Sequence, residues 1–384
     1  MIHESKKPLS LYFHIPFCKV KCVYCDFYSI PKREDSIPAF MQAILREFRQ
    51  QCGLLELRDY RLQTVFIGGG TPSLLSPRDL ERLLKAIQEY VTISTSTEIT
   101  LEANPGEAPI EKLRDFRTLG VNRLSMGVQS LQPELLKFMS RIHSPQQARD
   151  TFQNARKAGF VNINTDLIFA IPGQSKAQWL EDLTEVVEWA PEHISAYSLT
   201  VEEGTALHRW VVHRTVEMLP EMDDAGMYLD GREFLTAHGY TPYEISNYSR
   251  PGFACQHNLN YWTQVPYLSF GPSAHSYFGN KRWWNVRNLD AYIQRQSLGQ
   301  TVVEDTETLT EEHLVSEYIF TRLRLSVGIS PADYAARFGA SFESRHGARL
   351  EKWLEKHIVF QDEHYRLTPN GLLLADDIAA DLMA

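Results

Sequence analysis

Three cysteines lie close together near the start of the chain, in the sequence Cys18-Lys-Val-Lys-Cys22-Val-Tyr-Cys25. With the spacing C-x3-C-x2-C, thiolates from one loop can hold three irons of a cubane [4Fe–4S] cluster. The fourth iron then lacks a protein ligand and can accept a small molecule. Zinc is the alternative, with His14 as a fourth ligand, but structural zinc sites usually use paired C-x2-C spacings. The spacing therefore favours an iron–sulfur centre.

Regular elements must position these residues, and the chain alternates short β-branched or aromatic runs with amphipathic helical stretches. Strands are predicted at Leu9–Ile15, Thr64–Ile67, Glu98–Glu102, Arg123–Gly127, Asn162–Phe169 and His193–Leu199. Helices are predicted at Pro38–Cys52, Pro77–Tyr90, Ile110–Leu119, Pro145–Ala158 and Lys176–Glu188. Strands separated by helices indicate an α/β fold with a parallel sheet, either doubly wound or a partial barrel.

Polar residues and glycines fall within or just after these strands, and ligands bind at the carboxyl edge of barrels and open α/β sheets. They are Gly68–Thr71, Glu102–Asn104, Gln129 and Asp166. The glycines leave the backbone bare, so that it can touch a ligand without interference from a Cβ atom. A glycine run alone is a weak signal, since a tight turn produces the same pattern.

Beyond about residue 200 the alternation stops and the sequence becomes aromatic and irregular. We divide the chain into a core at 1–235, an aromatic-rich segment at 236–302 and a C-terminal helical domain at 303–384. The last part is predicted to hold helices and a hairpin at Ile358–Leu367, an arrangement similar to a winged helix. It carries eight Lys and Arg against 15 Asp and Glu, so we do not expect it to bind DNA, which needs a basic surface.

The composition and charge of the chain argue against several classes of protein. The chain has 384 residues, 43% of them hydrophobic, and a formal net charge of −9, which argues against non-specific nucleic-acid binding. No apolar run approaches the ~18 residues of a membrane span, and the first residues lack the apolar core of a signal peptide. We therefore expect a cytoplasmic protein, in which clustered cysteines bind metal rather than form disulfides.

The cysteine spacing, with Tyr24 before the last cysteine, resembles the signature of the radical S-adenosylmethionine (SAM) superfamily. The segments Tyr12–Cys18, Ser125–Ser130 and Asp166–Gly173 resemble its coproporphyrinogen oxidase-like branch. The resemblance implies a partial (β/α)6 TIM-like barrel in which SAM chelates the open iron of the cluster and is cleaved to a radical. It also implies that Tyr24 lies beside the cluster and that SAM contacts Tyr12, Gly69, Gly70, Thr71, Glu102, Gln129, Arg141 and Asp166.

Two subfamilies of this branch differ around the cysteines. The oxygen-independent coproporphyrinogen III oxidases continue the motif to C-x3-C-x2-C-x-C after a longer N-terminal arm, whereas this chain has Phe27 at the last position and only 17 residues before Cys18. The sequence His257-Asn-Leu-Asn-Tyr261-Trp262 resembles the H-N-x-x-Y-W motif of haem chaperones of the HemW type. The resemblance favours a haem chaperone, with a coproporphyrinogen oxidase or another radical SAM enzyme as alternatives.

The H-N-x-x-Y-W motif suits haem, because imidazole is a standard axial ligand of haem iron and aromatic rings can cover the macrocycle. The resemblance implies that His257, Tyr261 and Trp262 bind haem, and that the acceptors are apo-haem proteins, among them respiratory or membrane-associated ones. Cys255 is an alternative thiolate ligand, although a cysteine in such a place is more often a small buried hydrophobe. We expect His275 to be structural.

Overall fold

The computed structural model of the protein describes residues 6–384. The strands are β1 Lys7–Ile15, β2 Phe17–Cys18, β3 Ile30–Pro31, β4 Tyr60–Gly69, β5 Glu98–Ala103, β6 Arg123–Gln129, β7 Ile163–Phe169, β8 His193–Ser198, β9 Thr241–Pro242, β10 Asn247–Ser249, β11 Tyr267–Phe270, β12 His275–Phe278, β13 Lys281–Asn285, β14 Val303–Thr308, β15 Ile358–Gln361 and β16 His364–Leu367. The α-helices are α1 Ile37–Leu54, α2 Pro77–Gln88, α3 Ile110–Thr118, α4 Pro133–Phe138, α5 Pro145–Lys157, α6 Lys176–Glu188, α7 Ala206–Val212, α8 Glu221–Ala237, α9 Gln256–Trp262, α10 Leu289–Ser297, α11 Glu311–Arg324, α12 Pro331–Phe338, α13 Phe342–Trp353, α14 Pro369–Leu372 and α15 Ala375–Met383.

One sheet of 12 strands, in the order β14-β13-β12-β11-β1-β4-β5-β6-β7-β8-β10-β9, forms the body of the protein. Its centre, from β1 through β4, β5, β6 and β7 to β8, is parallel throughout. Each of these strands pairs with the next along the chain, whereas a doubly wound sheet reverses its order at one point. The sequential order is that of the predicted partial (β/α)6 barrel.

The predicted strands and helices of the central sheet are confirmed, and local signals explain their boundaries. Ser144 and Ser175 each cap the start of a helix with a complete capping box. The serine hydroxyl oxygen accepts a hydrogen bond from the backbone N–H of the glutamine three residues later, and the side chain of that glutamine accepts one from the serine backbone N–H. Ser76 caps α2 by accepting a hydrogen bond from Asp79 N. These caps satisfy backbone donors that would otherwise lack partners, so each helix begins at the predicted residue.

Side chains of the central strands alternate between a face covered by helices and a face directed into the barrel. Leu11 and Phe13 of β1 are fully buried, and Phe13 packs against Phe48 of α1 with ring centroids 5.8 Å apart. Ser10 and Tyr12 point to the opposite face, where Ser10 Oγ accepts a hydrogen bond of 2.7 Å from Asn260 Nδ2 of α9. The barrel interior is therefore polar, although it is buried.

The aromatic-rich segment is more regular than the sequence indicated. Strand β11 pairs in parallel with β1, and β12, β13 and β14 extend the sheet from it as antiparallel strands. On the other side, β10 and β9 extend it beyond β8. One hydrophobic core runs through the barrel and this segment, from Leu9 to Val302.

The C-terminal part has its own hydrophobic core, built from buried residues between Tyr318 and Leu382. Helices α11, α12 and α13 are followed by the hairpin β15–β16, as expected for a winged-helix-like unit. After the hairpin the chain forms two short helices, α14 and α15, because it turns between them. No helix among residues 6–384 is both long and apolar enough to cross a membrane.

Candidate functional site

The cluster loop, residues 16–32, lies between the end of β1 and the following helix. Its two ends are joined by the parallel pair β2–β3, by an Ile30 N–H that donates to Pro16 O (2.7 Å) and by a Lys32 N–H that donates to Cys18 O (3.2 Å). Cys18, Cys22 and Cys25 are all partly buried free thiols on this closed loop. The loop therefore presents its sulfur atoms from one short, anchored segment.

Polar groups from neighbouring strands approach these sulfurs. Thr71 Oγ1 donates to Cys18 Sγ (3.6 Å), and Arg141 Nη1 donates to Cys22 Sγ (3.4 Å). Ser29 Oγ lies 4.0 Å from Cys25 Sγ. Hydrogen bonds to sulfur tune iron–sulfur clusters, so this environment fits a thiolate-bound cluster.

The three cysteine thiols are also chemically suited to bind an iron–sulfur cluster. Burial raises the pKa of Cys18 to about 11, and the nearby thiols add to the shift. Burial raises the pKa of Cys25 as well. A metal must displace these protons, and its charge then replaces the repulsion between thiolates with attraction. Among residues 6–384 no three ligating side chains already surround one point, so the sulfurs must turn inward to hold three irons.

The glycine run forms a close-packed corner beside this loop. Gly69 has a φ of +111°, and a Cβ atom built there would lie 2.6 Å from the His14 ring. A Cβ atom on Gly70 would lie 2.6 Å from Phe17 O and 3.0 Å from Cys18 Sγ. Only glycine fits, and the bare backbone provides the close approach that a bound ligand would need.

Arg141, Asn104 and Gln129 converge over Gly127, whose lack of a side chain leaves room for them. Arg141 Nη2 donates to Asn104 Oδ1 (2.7 Å) and to the Gly127 carbonyl (2.6 Å), while its buried Nε has no partner among the described residues. Asn104 Nδ2 donates to Thr71 Oγ1 (2.8 Å). The predicted contacts Thr71, Gln129 and Arg141 are thus brought together, and a donor remains for a ligand carboxylate.

Glu102 and Asp166 supply the carboxylates of the site, from the end of β5 and the middle of β7. Glu102 Oε2 accepts a hydrogen bond from Gly69 N (3.0 Å), and Asp166 accepts from Ser125 Oγ (3.1 Å) and Asn164 Nδ2 (2.8 Å). Burial, and then the charge of Asp166, raises the pKa of Glu102 to about 8. A cationic ligand would lower that pKa again, so the pair is suited to bind an ammonium or hydroxyl group.

The two predicted tyrosines, Tyr12 and Tyr24, have different surroundings. Tyr12 forms a hydrogen bond of 3.0 Å with His14 Nδ1, and His14 Nε2 donates to Tyr28 O (2.7 Å). Both ring nitrogens of His14 are thus occupied. Tyr24 packs in a separate apolar cluster with Phe138, and burial together with the Cys22 thiol raises its pKa.

The H-N-x-x-Y-W motif forms α9, which closes the barrel interior. His257 is 2% exposed, and its ring stacks on Phe66 with centroids 5.0 Å apart. Its Nδ1 lies 2.7 Å from Thr64 Oγ1 and its Nε2 lies 3.0 Å from Tyr261 Oη. Burial lowers the pKa of His257 to about 3. Trp262 is partly buried, and its Nε1 has no partner among the described residues.

Cys255 lies at the start of the same helix. It is 4% exposed, and its Sγ donates to Glu98 Oε1 (3.6 Å). The Glu98 carboxylate also accepts the N–H groups of Gln256 and His257 (3.1 Å each), so it caps α9 in place of an N-cap side chain. This position fits the buried, structural role that we favoured for Cys255.

Asn104, Ser125 and Asn164 belong to this site, although we did not single them out as contacts. Asn104 directly follows β5, so its position alone could have marked it, whereas Ser125 lies within β6. Asn164 precedes Asp166 by two residues on β7, and the period of two places both side chains on the same face.

Comparisons with known proteins agree with this geometry. Residues 12–186 match the Radical SAM superfamily, and residues 309–374 match the HemN C-terminal domain. The protein named Heme chaperone HemW from Escherichia coli (strain K12) is 41% identical over 374 residues, which cover 97% of each chain. The chain belongs to the HemW family. The HemW protein of Lactococcus lactis is 33% identical over 374 residues, again 97% of each chain.

Among solved structures, coproporphyrinogen III oxidase (HemN) from Escherichia coli aligns with a TM-score of 0.84 at 22% identity, covering 99% of this chain and 91% of that one. This likeness shows that the chain has the fold of the oxidase. Membership of the radical SAM superfamily implies a [4Fe–4S] cluster and SAM, for which the cysteine loop and the strand ends of this chain provide fitting residues.

Proposed function

We propose that this chain is a haem chaperone, which binds haem and transfers it to apo-haem proteins in the cytoplasm or at a membrane surface. The main support for this proposal is the near full-length similarity to proteins named Heme chaperone HemW. Phe27 supports it, because this position holds a cysteine in the oxidase motif and here holds a phenylalanine that is 63% exposed.

In this proposal Cys18, Cys22 and Cys25 would hold the cluster, which when bound would supply single-electron chemistry to SAM. Arg141, whose buried Nε has no partner among the described residues, would pair with the carboxylate of SAM, and Glu102 would accept a hydrogen bond from its amino group. Asp166 would accept from the ribose hydroxyls, and Ser125 and Asn164 hold the Asp166 carboxylate in place. The buried strand ends exclude water from these contacts.

Haem binding is tested by titrating haemin into the anaerobically reconstituted protein and following the Soret band. A saturable shift is expected, and mixing the loaded protein with apomyoglobin should move the haem to myoglobin. The absence of saturable binding would contradict the proposal, and haem that is bound but never released would contradict a role in transfer.

Ligation by His257, with Tyr261 and Trp262 against the macrocycle, remains a prediction within this proposal. For iron to bind, His257 must give up either its contact with Thr64 or its contact with Tyr261, and α9 must open toward the ligand. His257→Ala in the same titration tests this prediction directly, since loss of the Soret shift in a folded variant would support it.

Coproporphyrinogen oxidation is the second candidate, because the glycines, carboxylates and arginine expected of a SAM site are all gathered at the strand ends. An anaerobic assay with coproporphyrinogen III, dithionite and SAM separates the two functions. Formation of protoporphyrinogen would favour the oxidase, whereas haem binding without turnover would favour the chaperone.

A further inference from the structure

His193 is a buried histidine that the proposed function does not use. It is the first residue of β8, and both of its ring nitrogens have partners. Nδ1 lies 2.6 Å from Asn164 Oδ1, and Nε2 lies 2.8 Å from Tyr243 Oη. Burial and the charge of Arg123 lower the pKa of His193 well below its usual value, so the ring is neutral. A neutral imidazole carries one donor and one acceptor nitrogen, so its two partners must play opposite roles.

The Asp166 carboxylate decides these roles. A carboxylate only accepts hydrogen bonds, so Asn164 must turn its amide NH2 toward Asp166, where Nδ2 lies 2.8 Å from Oδ1. The Asn164 carbonyl oxygen then faces His193 and can only accept, so His193 carries its proton on Nδ1. Nε2 is left as an acceptor, and the Tyr243 hydroxyl donates to it. One charge thus sets the direction of every bond in the chain.

The chain of hydrogen bonds continues to α9. Because the Tyr243 hydroxyl gives its proton to His193, its oxygen accepts a hydrogen bond of 3.3 Å from Asn258 Nδ2, the second residue of the H-N-x-x-Y-W motif. The backbone of Tyr243 is also held, since its N–H donates to Asn247 O (3.1 Å) and its carbonyl accepts from Ser326 N (3.0 Å). Fixed side chains therefore connect α9 with β7.

Serine hydroxyls surround Asn164, but they cannot fix the orientation of its amide. Ser125 Oγ and Ser195 Oγ lie 2.8 and 3.0 Å from Asn164 Nδ2, and Ser195 Oγ lies 3.2 Å from Asn164 Oδ1. A hydroxyl can rotate to donate or accept, so it satisfies either orientation, whereas the directed N–H of His193 satisfies only one. Burial raises the pKa of Asp166, and hydrogen bonds from Ser195 and Asn164 act to lower it, so oriented donors help to preserve its charge.

We propose that His193 is a positioning residue of the SAM site, which orients Asn164 and thereby presents the Asp166 carboxylate to the ribose hydroxyls. This inference rests on the SAM contacts assigned in the proposed function. Tyr243 fixes the proton of His193, and Asn258 in turn holds the Tyr243 hydroxyl. The asparagine of the H-N-x-x-Y-W motif therefore supports the SAM site from the opposite end of the chain.

The test compares the binding of SAM with that of a SAM analogue that lacks both ribose hydroxyls, by equilibrium dialysis of the anaerobically reconstituted full-length protein. His193→Leu should weaken SAM binding about tenfold, the order expected when a hydrogen bond to a charged group is disturbed. It should leave the affinity for the analogue and the iron content unchanged, because the analogue has no hydroxyl for Asp166 to bind. A general structural defect would weaken the binding of both ligands together.

Two further histidine substitutions provide a rescue and a control. His193→Asn keeps an amide N–H near the position of Nδ1, so it should recover most of the SAM affinity. His346→Leu is the matched control, because His346 is also buried and both ring nitrogens are hydrogen-bonded, to Tyr334 Oη (2.9 Å) and Leu382 O (2.9 Å) of the C-terminal core. It should leave the SAM affinity unchanged.

Tyr243→Phe tests the chain one step further away and removes a single oxygen atom. It should weaken SAM binding several-fold, since His193 is then free to change its tautomer, and again spare the analogue. If His193→Leu failed to fold, this variant would carry the same comparison.

The results separate this inference from the proposals on which it rests. A parent protein that binds SAM and its analogue equally refutes the ribose contact of Asp166. A parent protein that prefers SAM, with the preference undiminished in His193→Leu and Tyr243→Phe, refutes the role of His193. Equal weakening of both ligands in His193→Leu, without recovery in His193→Asn, would make His193 a purely structural residue. Haemin binding in the same samples tests the chaperone function independently of these outcomes.

Discussion

At Gly70 the glycine run and the cluster loop approach most closely, so Gly70→Ala should disturb both. The new Cβ atom would lie 2.6 Å from Phe17 O, 2.9 Å from Ile15 O and 3.0 Å from Cys18 Sγ. The two carbonyl oxygens accept hydrogen bonds from Thr71 N (2.7 Å) and Gly70 N (2.8 Å). Neither oxygen can move away without weakening the bonds that join the loop to β4.

The expected magnitude follows from these contacts. Overpacking in a close-packed site costs about 1–3 kcal/mol, and weakening two hydrogen bonds adds about 0.5–1.5 kcal/mol for each. We therefore expect Gly70→Ala to lower the free energy of unfolding by about 2–6 kcal/mol. Because the displaced loop carries Cys18, the variant should also bind less iron and sulfide after anaerobic reconstitution.

Denaturant unfolding of the metal-free protein measures the stability, and iron and sulfide analysis measures the cluster. Gly53→Ala is the control, because a Cβ atom at this position of α1 meets nothing within 4 Å and alanine favours a helix by about 1 kcal/mol. It should keep its full iron content and lose no stability. If Gly70→Ala behaved in the same way, the argument that this close approach positions the cluster would be refuted.

Three further substitutions test other parts of the structure. Cys22→Ala should abolish the iron–sulfur absorbance after reconstitution, whereas Cys52→Ala, a buried thiol of α1, should retain it; equal spectra would contradict the assignment of the ligands. Burial raises the pKa of Glu102 to about 8, so the folded protein favours the protonated carboxyl group. The stability that this preference provides is fully present below about pH 4.5 and is lost as the pH rises through about 8. Glu102→Gln should flatten the dependence of the unfolding free energy on pH in that window, and an unchanged slope would show that another group titrates. Glu47→Ala removes the acceptor of the buried donors Gly271 N and Tyr292 Oη, at about 1–3 kcal/mol for each, so its unfolding midpoint should fall sharply, whereas a stable variant would show that water replaces the carboxylate.

The parts of the fold that depend on local signals could be predicted from the sequence. The helices that begin after Ser144 and Ser175 are capped by pairs of residues only three positions apart in the sequence. Strand β1 has the alternation of apolar and polar residues that is typical of a strand. The polar residues at the strand ends also follow from local order, because a parallel sheet brings its carboxyl ends to one edge.

The remaining features depend on contacts between distant residues. The burial of His257 is set by Thr64, which lies 193 positions earlier, and no local pattern distinguishes this imidazole from an exposed one. Strand β11 has only four residues and joins the sheet by pairing with β1. The boundaries at 235 and 302 remain predictions.

The position of β1 has a consequence for how the protein is made. One edge of β1 pairs with β4, but its other edge pairs with β11, where Ser10 lies opposite Tyr267. A ribosome must therefore synthesise about two-thirds of the chain before the first strand is covered on both sides, and until then that edge can pair with another nascent chain. The cysteine loop follows this strand directly, so stable insertion of iron must wait for the late segment. Truncated products that end before Tyr267 should aggregate and remain without iron.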